Sequence, residues 1–247
     1  NPRSTVLTFL GLADTFRAWF HRNSDADRLG LSVGHFSSNT VLGQCPACEG
    51  LGRVGQSGDE TTVCSACAGT RFHARVLFAK CQNLSVGDWL TQDFQTLLVS
   101  EDTPHFLSRA VQLANDLGVG HLSLGRSLPT LSGGECQRLR IVKALLEVQE
   151  STNGNSLHQL FVMDEPAAGL HPLDVDKLNS ALHRVVENGK NTIVIVEHNL
   201  FVIHQSNWII DVGPLGADQG GKVLFTGPVE EFLRGDPLES PTRLALQ

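Results

Sequence analysis

Three groups of residues in this 247-residue sequence are of types and spacings that can do chemistry. The first, Leu131-Ser132-Gly133-Gly134-Glu135-Cys136-Gln137-Arg138, opens an amphipathic stretch with a serine and two glycines. A helix that begins there points unpaired backbone N–H groups and the positive end of its dipole at an anion, and glycines let the anion come close. Ser132, Gly133 and Gly134 are therefore candidate phosphate-binding residues. Gln137 and Arg138, one turn further on, can reach ribose or phosphate, or can simply form a polar helix surface. The second group follows the apolar run Leu160-Phe161-Val162-Met163. Asp164 and Glu165 there stand at the carboxyl end of a strand, where nucleotide sites form in open α/β sheets. Asp164 can hold the water shell of Mg²⁺, and Glu165 can orient or deprotonate an attacking water. His198 stands just past a second apolar run, Thr192-Ile193-Val194-Ile195-Val196, within reach of a terminal phosphate. Each signal is weak alone; in this order they describe a site for ATP with Mg²⁺.

The third group is Cys45-x2-Cys48-x15-Cys64-x2-Cys67. Two tight turns, each presenting two sulfurs and joined by a hairpin, have the spacing of a four-thiolate zinc site. Two disulfides or a redox-active pair are the alternatives; the doubled, evenly spaced motif and the cytosolic reading below favour zinc. Gly50, Gly52 and Gly69 suit left-handed turns that face backbone N–H groups toward the sulfurs. With four ligands the metal has no open position, so its work is to fold a small module that cannot build its own core. Cys81 and Cys136 stand alone and read as small buried apolar residues. Arg53, Arg71, His73, Arg75 and Lys80 around the hairpin can touch phosphates or form a solvated basic face, and the sequence leaves both open.

These residues need elements to position them. Apolar residues make up 41% of the chain, enough for a real core. No apolar run approaches the ~18 residues of a membrane span, and the N-terminus lacks the pattern of a signal peptide; the chain reads as cytosolic, with no membrane partner. A start at Asn1 points to a processed or excised chain. The net charge of -7 is uneven, with residues 1–80 slightly basic and residues 81–247 acidic, so only the cysteine-bearing part is suited to meet a phosphate backbone. Phe106, Ala110, Leu113 and Leu117 recur at helical spacing between Pro104 and Gly118, within a stretch, 76–130, that reads as helical. Leu160–Met163 and Thr192–Val196 read as buried parallel strands. Between them Val175, Leu178, Leu182, Val185 and Val186 form a helical stripe ending at Gly189. Trp208–Val212 and Lys222–Thr226, the latter after a Gly220-Gly221 turn, read as further strands, and the last ten or so residues as a loosely held tail.

Signature helix, strand, acid pair, helix, strand and histidine follow one another as in an ABC-type ATPase. Nowhere does the chain contain the G-x-x-x-x-G-K-[ST] phosphate cradle that such an enzyme needs. The cysteine motif upstream of Leu131–Arg138, with Met163-Asp164-Glu165-Pro166, Gly169-Leu170-His171, Val196-Glu197-His198-Asn199-Leu200 and Ile209-Ile210-Asp211-Val212-Gly213-Pro214, resembles the C-terminal ATPase half of the UvrA family. Pro2-Arg3-Ser4 and Gly11 resemble the segment after that half's glutamine loop, so the likeness runs over about 1 to 234.

The resemblance implies an α/β fold: an ABC-type ATPase core with a parallel sheet, a helical signature subdomain and an inserted four-cysteine zinc module. It divides the chain into 1–40 after the P-loop region, the zinc module at 41–75, the signature subdomain at 76–140, the ATPase core at 141–235 and a tail at 236–247. It implies a DNA-binding ATPase of nucleotide excision repair. Ser132, Gly133, Gly134 and Gln137 would meet ATP held by a partner's P-loop, and Asp164, Glu165 and His198 would serve their own. Double-stranded DNA, a second UvrA-type half or homodimer partner and other excinuclease subunits are the implied partners. His171 would sit in a communicating loop as a contact rather than a catalyst. Departures are Glu49–Val63, short and acidic between the cysteine pairs, Cys136, and Ala167-Ala168. They fit UvrA-like paralogues, some linked to tolerance of DNA-binding drugs, equally well. A binding module with vestigial nucleotide motifs is the other reading.

Overall fold

The computed structural model describes residues 3–55, 62–150, 158–187, 191–213, 221–236 and 240–246, with the side chains of 148–150 outside that description. The chain forms two units, Asn1–Gln149 and Glu150–Gln247.

In the first unit, α1 (Val6–Phe9) is capped by Thr5, whose hydroxyl accepts the Thr8 N–H. On α2 (Ala13–Asn23), Phe16 and Phe20 lie one turn apart and are fully buried. They join an aromatic cluster in which Trp19 and Trp89 meet edge to face at 5.0 Å and Phe20 meets Phe36 at 4.8 Å. Such ring pairs add about 0.5–1.5 kcal/mol each beyond the area they bury.

The stretch expected to be helical holds α3 (Val86–Thr91), α4 (Phe94–Val99) and α5 (His105–Asp116). α3 starts from a capping box between Ser85 and Asp88, and α4 from the Asp93 side chain. α5 follows Pro104, buries Ala110 and Leu113, and ends before Gly118 at φ +68°. Beyond it the chain turns instead of coiling, because its backbone groups are engaged elsewhere. Leu124 donates to Gln92, Gly125 to Leu90, and Val6 and Leu7 donate to Arg126 and Leu124. The first residues of the chain thus clamp the approach to the signature sequence. The long helix α6 (Gly133–Glu150) follows, burying Leu139, Val142 and Leu145. The cysteine module is built on a short antiparallel hairpin, β1 (Arg53–Val54) with β2 (Thr62–Val63).

In the second unit, β3 (Gln159–Asp164) and β4 (Asn191–Val196) pair in parallel, with Met163 opposite Ile195 and Asp164 opposite Val196. α7 (Pro172–Val186) connects them and buries the expected stripe of Val175, Leu178, Leu182 and Val185; Gly189, its expected stop, lies outside the described residues. The two strands were expected to be buried throughout, yet exposure alternates along both, and Leu160 and Val162 are 65% and 69% exposed. Strand side chains alternate between faces, and among the described residues the connecting helix covers one face only.

α8 (Leu200–His204) leads to β5 (Trp208–Gly213), which pairs antiparallel with β6 (Lys222–Pro228) through an irregularity at Asp211/Val212. Both strands were expected; Gly220 of the anticipated turn, and Pro214 of the family motif, are outside the described residues. α9 (Val229–Arg234) buries Phe232. The end of the chain is not loose: α10 (Pro241–Ala245) is capped by the buried Ser240, and Arg243 stacks over Phe232 at 4.7 Å while donating to the Asp236 carbonyl at 2.9 Å. A guanidinium on an aromatic face, which a polar-looking tail conceals, holds it down.

Candidate metal centre and nucleotide site

The local fold brings all four cysteines of the motif together. Their sulfurs lie within 4.8 Å of one another and all four residues are buried. The Cys48 and Cys67 sulfurs are 3.7 Å apart, and a tetrahedron with Zn–S bonds of ~2.3 Å has edges of about 3.8 Å. All six cysteines are free thiols, so the two-disulfide alternative is not realised.

The glycines act as expected. Gly50, Gly52 and Gly69 have φ of +80°, +75° and +83°, and the Gly52 N–H donates to the Cys48 sulfur at 3.2 Å. A Cβ at Gly50 would run into the Ser38 carbonyl. The N–H of Cys67 draws the Cys64 thiol down to about 7, while burial pushes Cys67 up to about 12. A bound cation would replace the protons of both. Donor type, number, spacing and N–H···S bonds all fit Zn²⁺.

Cys81 is buried as expected, and burial raises its thiol further from ionisation. Cys136 is only partly buried, because its position on α6 faces a half-covered side. Arg71 is half-buried rather than a solvent-facing phosphate contact, whereas Arg53, His73, Arg75 and Lys80 are exposed.

At the head of α6, Ser132 is the N-cap: its hydroxyl accepts the Glu135 N–H at 3.3 Å, and Glu135 in return accepts the Ser132 N–H at 2.7 Å. This capping box explains why serine and glutamate stand three apart. Gly133 has open space where a Cβ would point, and the Arg138 guanidinium folds back over Gly134. An anion meeting this helix end would face backbone N–H groups, with Gln137 on the next turn. His121 donates to Glu135 at 2.8 Å and, with the Ser132 N–H, holds that carboxylate down at about 2.

In the second unit, Asp164 ends β3 and Glu165 turns away from it at φ +44°, its N–H still bonded to the Val196 carbonyl at 2.9 Å. His198 Nδ1 lies 3.4 Å from Glu165 Oε1, and both side chains face solvent, 78% and 52% exposed. The ends of two adjacent parallel strands therefore place Asp164, Glu165 and His198 side by side, as their order along the chain implied. His171 caps α7, accepting the Leu173 N–H, which accords with a contact role.

One residue of this site was missed. Glu197 accepts the Ala167 N–H on one oxygen and the N–H groups of His198 and Asn199 on the other, each at 2.9 Å. It pins the turn after Glu165 to the turn that carries His198. Its place directly before His198 was the only local hint; the partner 30 residues away was not.

No protein-family model matches the chain. It is 38% identical to UvrABC system protein A of Thermus thermophilus over 96% of this chain and 25% of that protein. It is 37% identical to the protein of the same name from Synechocystis over 93% of this chain and 23% of that one. Its fold matches the crystal structure of UvrA2 from Deinococcus radiodurans with a TM-score of 0.82 and 30% identity, over 100% of this chain and 30% of that structure. The chain spans about a quarter of the length of the curated relatives it matches.

Proposed function

This chain is homologous, along nearly its whole length, to a segment of the UvrA family, and from that premise we propose that it supplies the signature helix, acid pair and switch histidine of an ABC-type ATPase acting on DNA in excision repair. The observation that carries the reading is the Glu165–His198 pair, 3.4 Å apart at neighbouring strand ends with Asp164 adjoining.

Mg²⁺, when bound, would supply charge neutralisation for the phosphates. Asp164 would hold the water shell of that ion. Glu165 accepts a hydrogen bond from the attacking water and orients it along the line of displacement, and His198 donates to the terminal phosphate. Ser132, Gly133, Gly134 and Gln137 belong to the complementary half-site, offering N–H groups and a helix dipole to ATP held on a partner's P-loop. Turnover at Glu165 thus needs the P-loop of its own half, which is outside this sequence, and Ser132 to Gly134 need one on a second ATPase half or a homodimer partner.

Cys45, Cys48, Cys64 and Cys67 would hold a structural Zn²⁺ that orders residues 41–75, the part of the chain suited to meet double-stranded DNA. The signature subdomain would be 76–140 and the ATPase core 141–235, after a leading segment, 1–40, and before the closing 236–247. A cytoplasmic location and contact with other excinuclease subunits follow from the same family reading. The match to UvrA2 favours a paralogue as the second reading, with the same nucleotide chemistry and a different DNA-bound target.

In a protein containing this segment together with its P-loop, Glu165→Gln should lower ATP turnover by about 10²-fold or more, as loss of a group positioning the reacting water does. Nucleotide affinity should stay near the parent's. Parent-like hydrolysis by that variant would overturn the assignment.

A further inference from the structure

The two cysteine turns repeat in conformation as well as in sequence. Cys45–Gly52 and Cys64–Arg71 share one spacing. Left-handed residues fall at matching places: Glu49, Gly50 and Gly52 in the first, Ala68, Gly69 and Arg71 in the second. At the last position a left-handed glycine gives way to a side chain: Gly52 at φ +75° is matched by Arg71 at φ +73°. Side-chain-bearing residues are disfavoured there, so the arginine must return something that glycine cannot.

Its side chain turns inward. Arg71 Cγ and Nε lie against Gly52, 3.0 and 3.5 Å from where a Cβ on that glycine would stand, and the Gly52 N–H itself points at the Cys48 sulfur. Arg71 Nη1 is buried without a hydrogen-bond partner. Burial weakens the guanidinium's hold on its proton, and negative charge on Cys48 and Cys67 opposes that. The arginine thus lies against Gly52, whose N–H faces the Cys48 sulfur, rather than extending into solvent.

We propose that Arg71 is the counter-charge of the zinc site, its guanidinium offsetting the excess negative charge that Cys45, Cys48, Cys64 and Cys67 carry as thiolates. Four thiolates outweigh one Zn²⁺, and a fixed cation at their edge would stabilise the net negative metal-bound cluster. The proposal rests on the zinc reading of the four cysteines.

Competition for Zn²⁺ against a chromophoric chelator, on this chain, tests it with Arg71→Gly, Arg71→Gln and Arg71→Lys. Glycine relieves the backbone, so a purely conformational role predicts equal or tighter zinc binding. Charge compensation predicts the opposite sign: Arg71→Gly and Arg71→Gln should bind Zn²⁺ about tenfold or more weakly, and Arg71→Lys should recover most of the loss. Near-ultraviolet circular dichroism of the Trp19–Trp89 pair shows that the variants are folded. Parent-like affinity in Arg71→Gly would overturn the proposal while leaving the zinc reading intact. A parent chain that takes up no Zn²⁺ would remove both.

Discussion

Glu197 shows how one carboxylate can hold two turns together. Three backbone N–H groups converge on its two oxygens, one from the turn after Glu165 and two from the turn that carries His198. Charge-assisted bonds of this kind are about twice as strong as neutral ones. Glu165 sits in a left-handed conformation that a side chain disfavours, so the turn needs outside support to keep Glu165 facing His198. Glu197→Ala removes that support and leaves the proposed catalytic pair, Glu165 and His198, unsubstituted. In the P-loop-containing protein its kcat should fall by about 10–100-fold, the scale of a 1 Å misplacement of reacting groups, with a smaller change in KM for ATP. An unchanged kcat would mean that the two turns hold themselves.

Among elements, α6 depends most visibly on its first turn. The Ser132–Glu135 box closes two of the helix's orphan N–H groups, and His121 ties the box to the loop that α5 leads into. Glu135 is held at about 2 against an ordinary 4.5, chiefly by His121 and then by the Ser132 N–H. Because the folded value is the lower one, the stabilisation is complete above about 4.5 and is lost as pH falls toward and through 2. The Ser132 and Glu135 amide resonances should therefore titrate with a midpoint near 2, and Glu135→Gln should remove that titration. A midpoint near 4.5 would show the box open in solution. The same box makes Ser132 a capping residue, so the phosphate contact proposed for it would have to share or displace the Glu135 N–H on its hydroxyl.

Over the whole molecule, what the sequence disclosed sorts by the range of the interactions involved. The stripes that became α5 and α7, the four longer strands and the cysteine spacing are written in local periodicity and were legible. Glu197 bonding to Ala167, Arg71 turning onto Gly52 and Arg243 stacking on Phe232 depend on partners brought together by folding, and types and spacing carry no trace of them. The exposed face of β3 and β4 was hidden for the same reason, since an apolar run does not say how many helices will cover it. This separation of local from long-range order also bears on zinc. The four cysteines form a buried cluster of their own, apart from the aromatic cluster around Phe16 and Phe20. Bonds such as Cys45 N–H to the Arg71 carbonyl and His73 N–H to Gly43 close the module's two ends on each other. On the proposed zinc reading, a module with so small an apolar core would draw its order from the metal, whereas α2 to α5 draw theirs from packed rings and aliphatic side chains. Chelating Zn²⁺ should make the four motif thiols react rapidly with a thiol dye and release the amides of 44–55 and 62–72 to exchange. The near-ultraviolet signal of Trp19 and Trp89 should persist. Loss of that signal together with the metal would mean instead that the helices are built on the cysteine module, and that zinc holds the helices in place as well as ordering the hairpin.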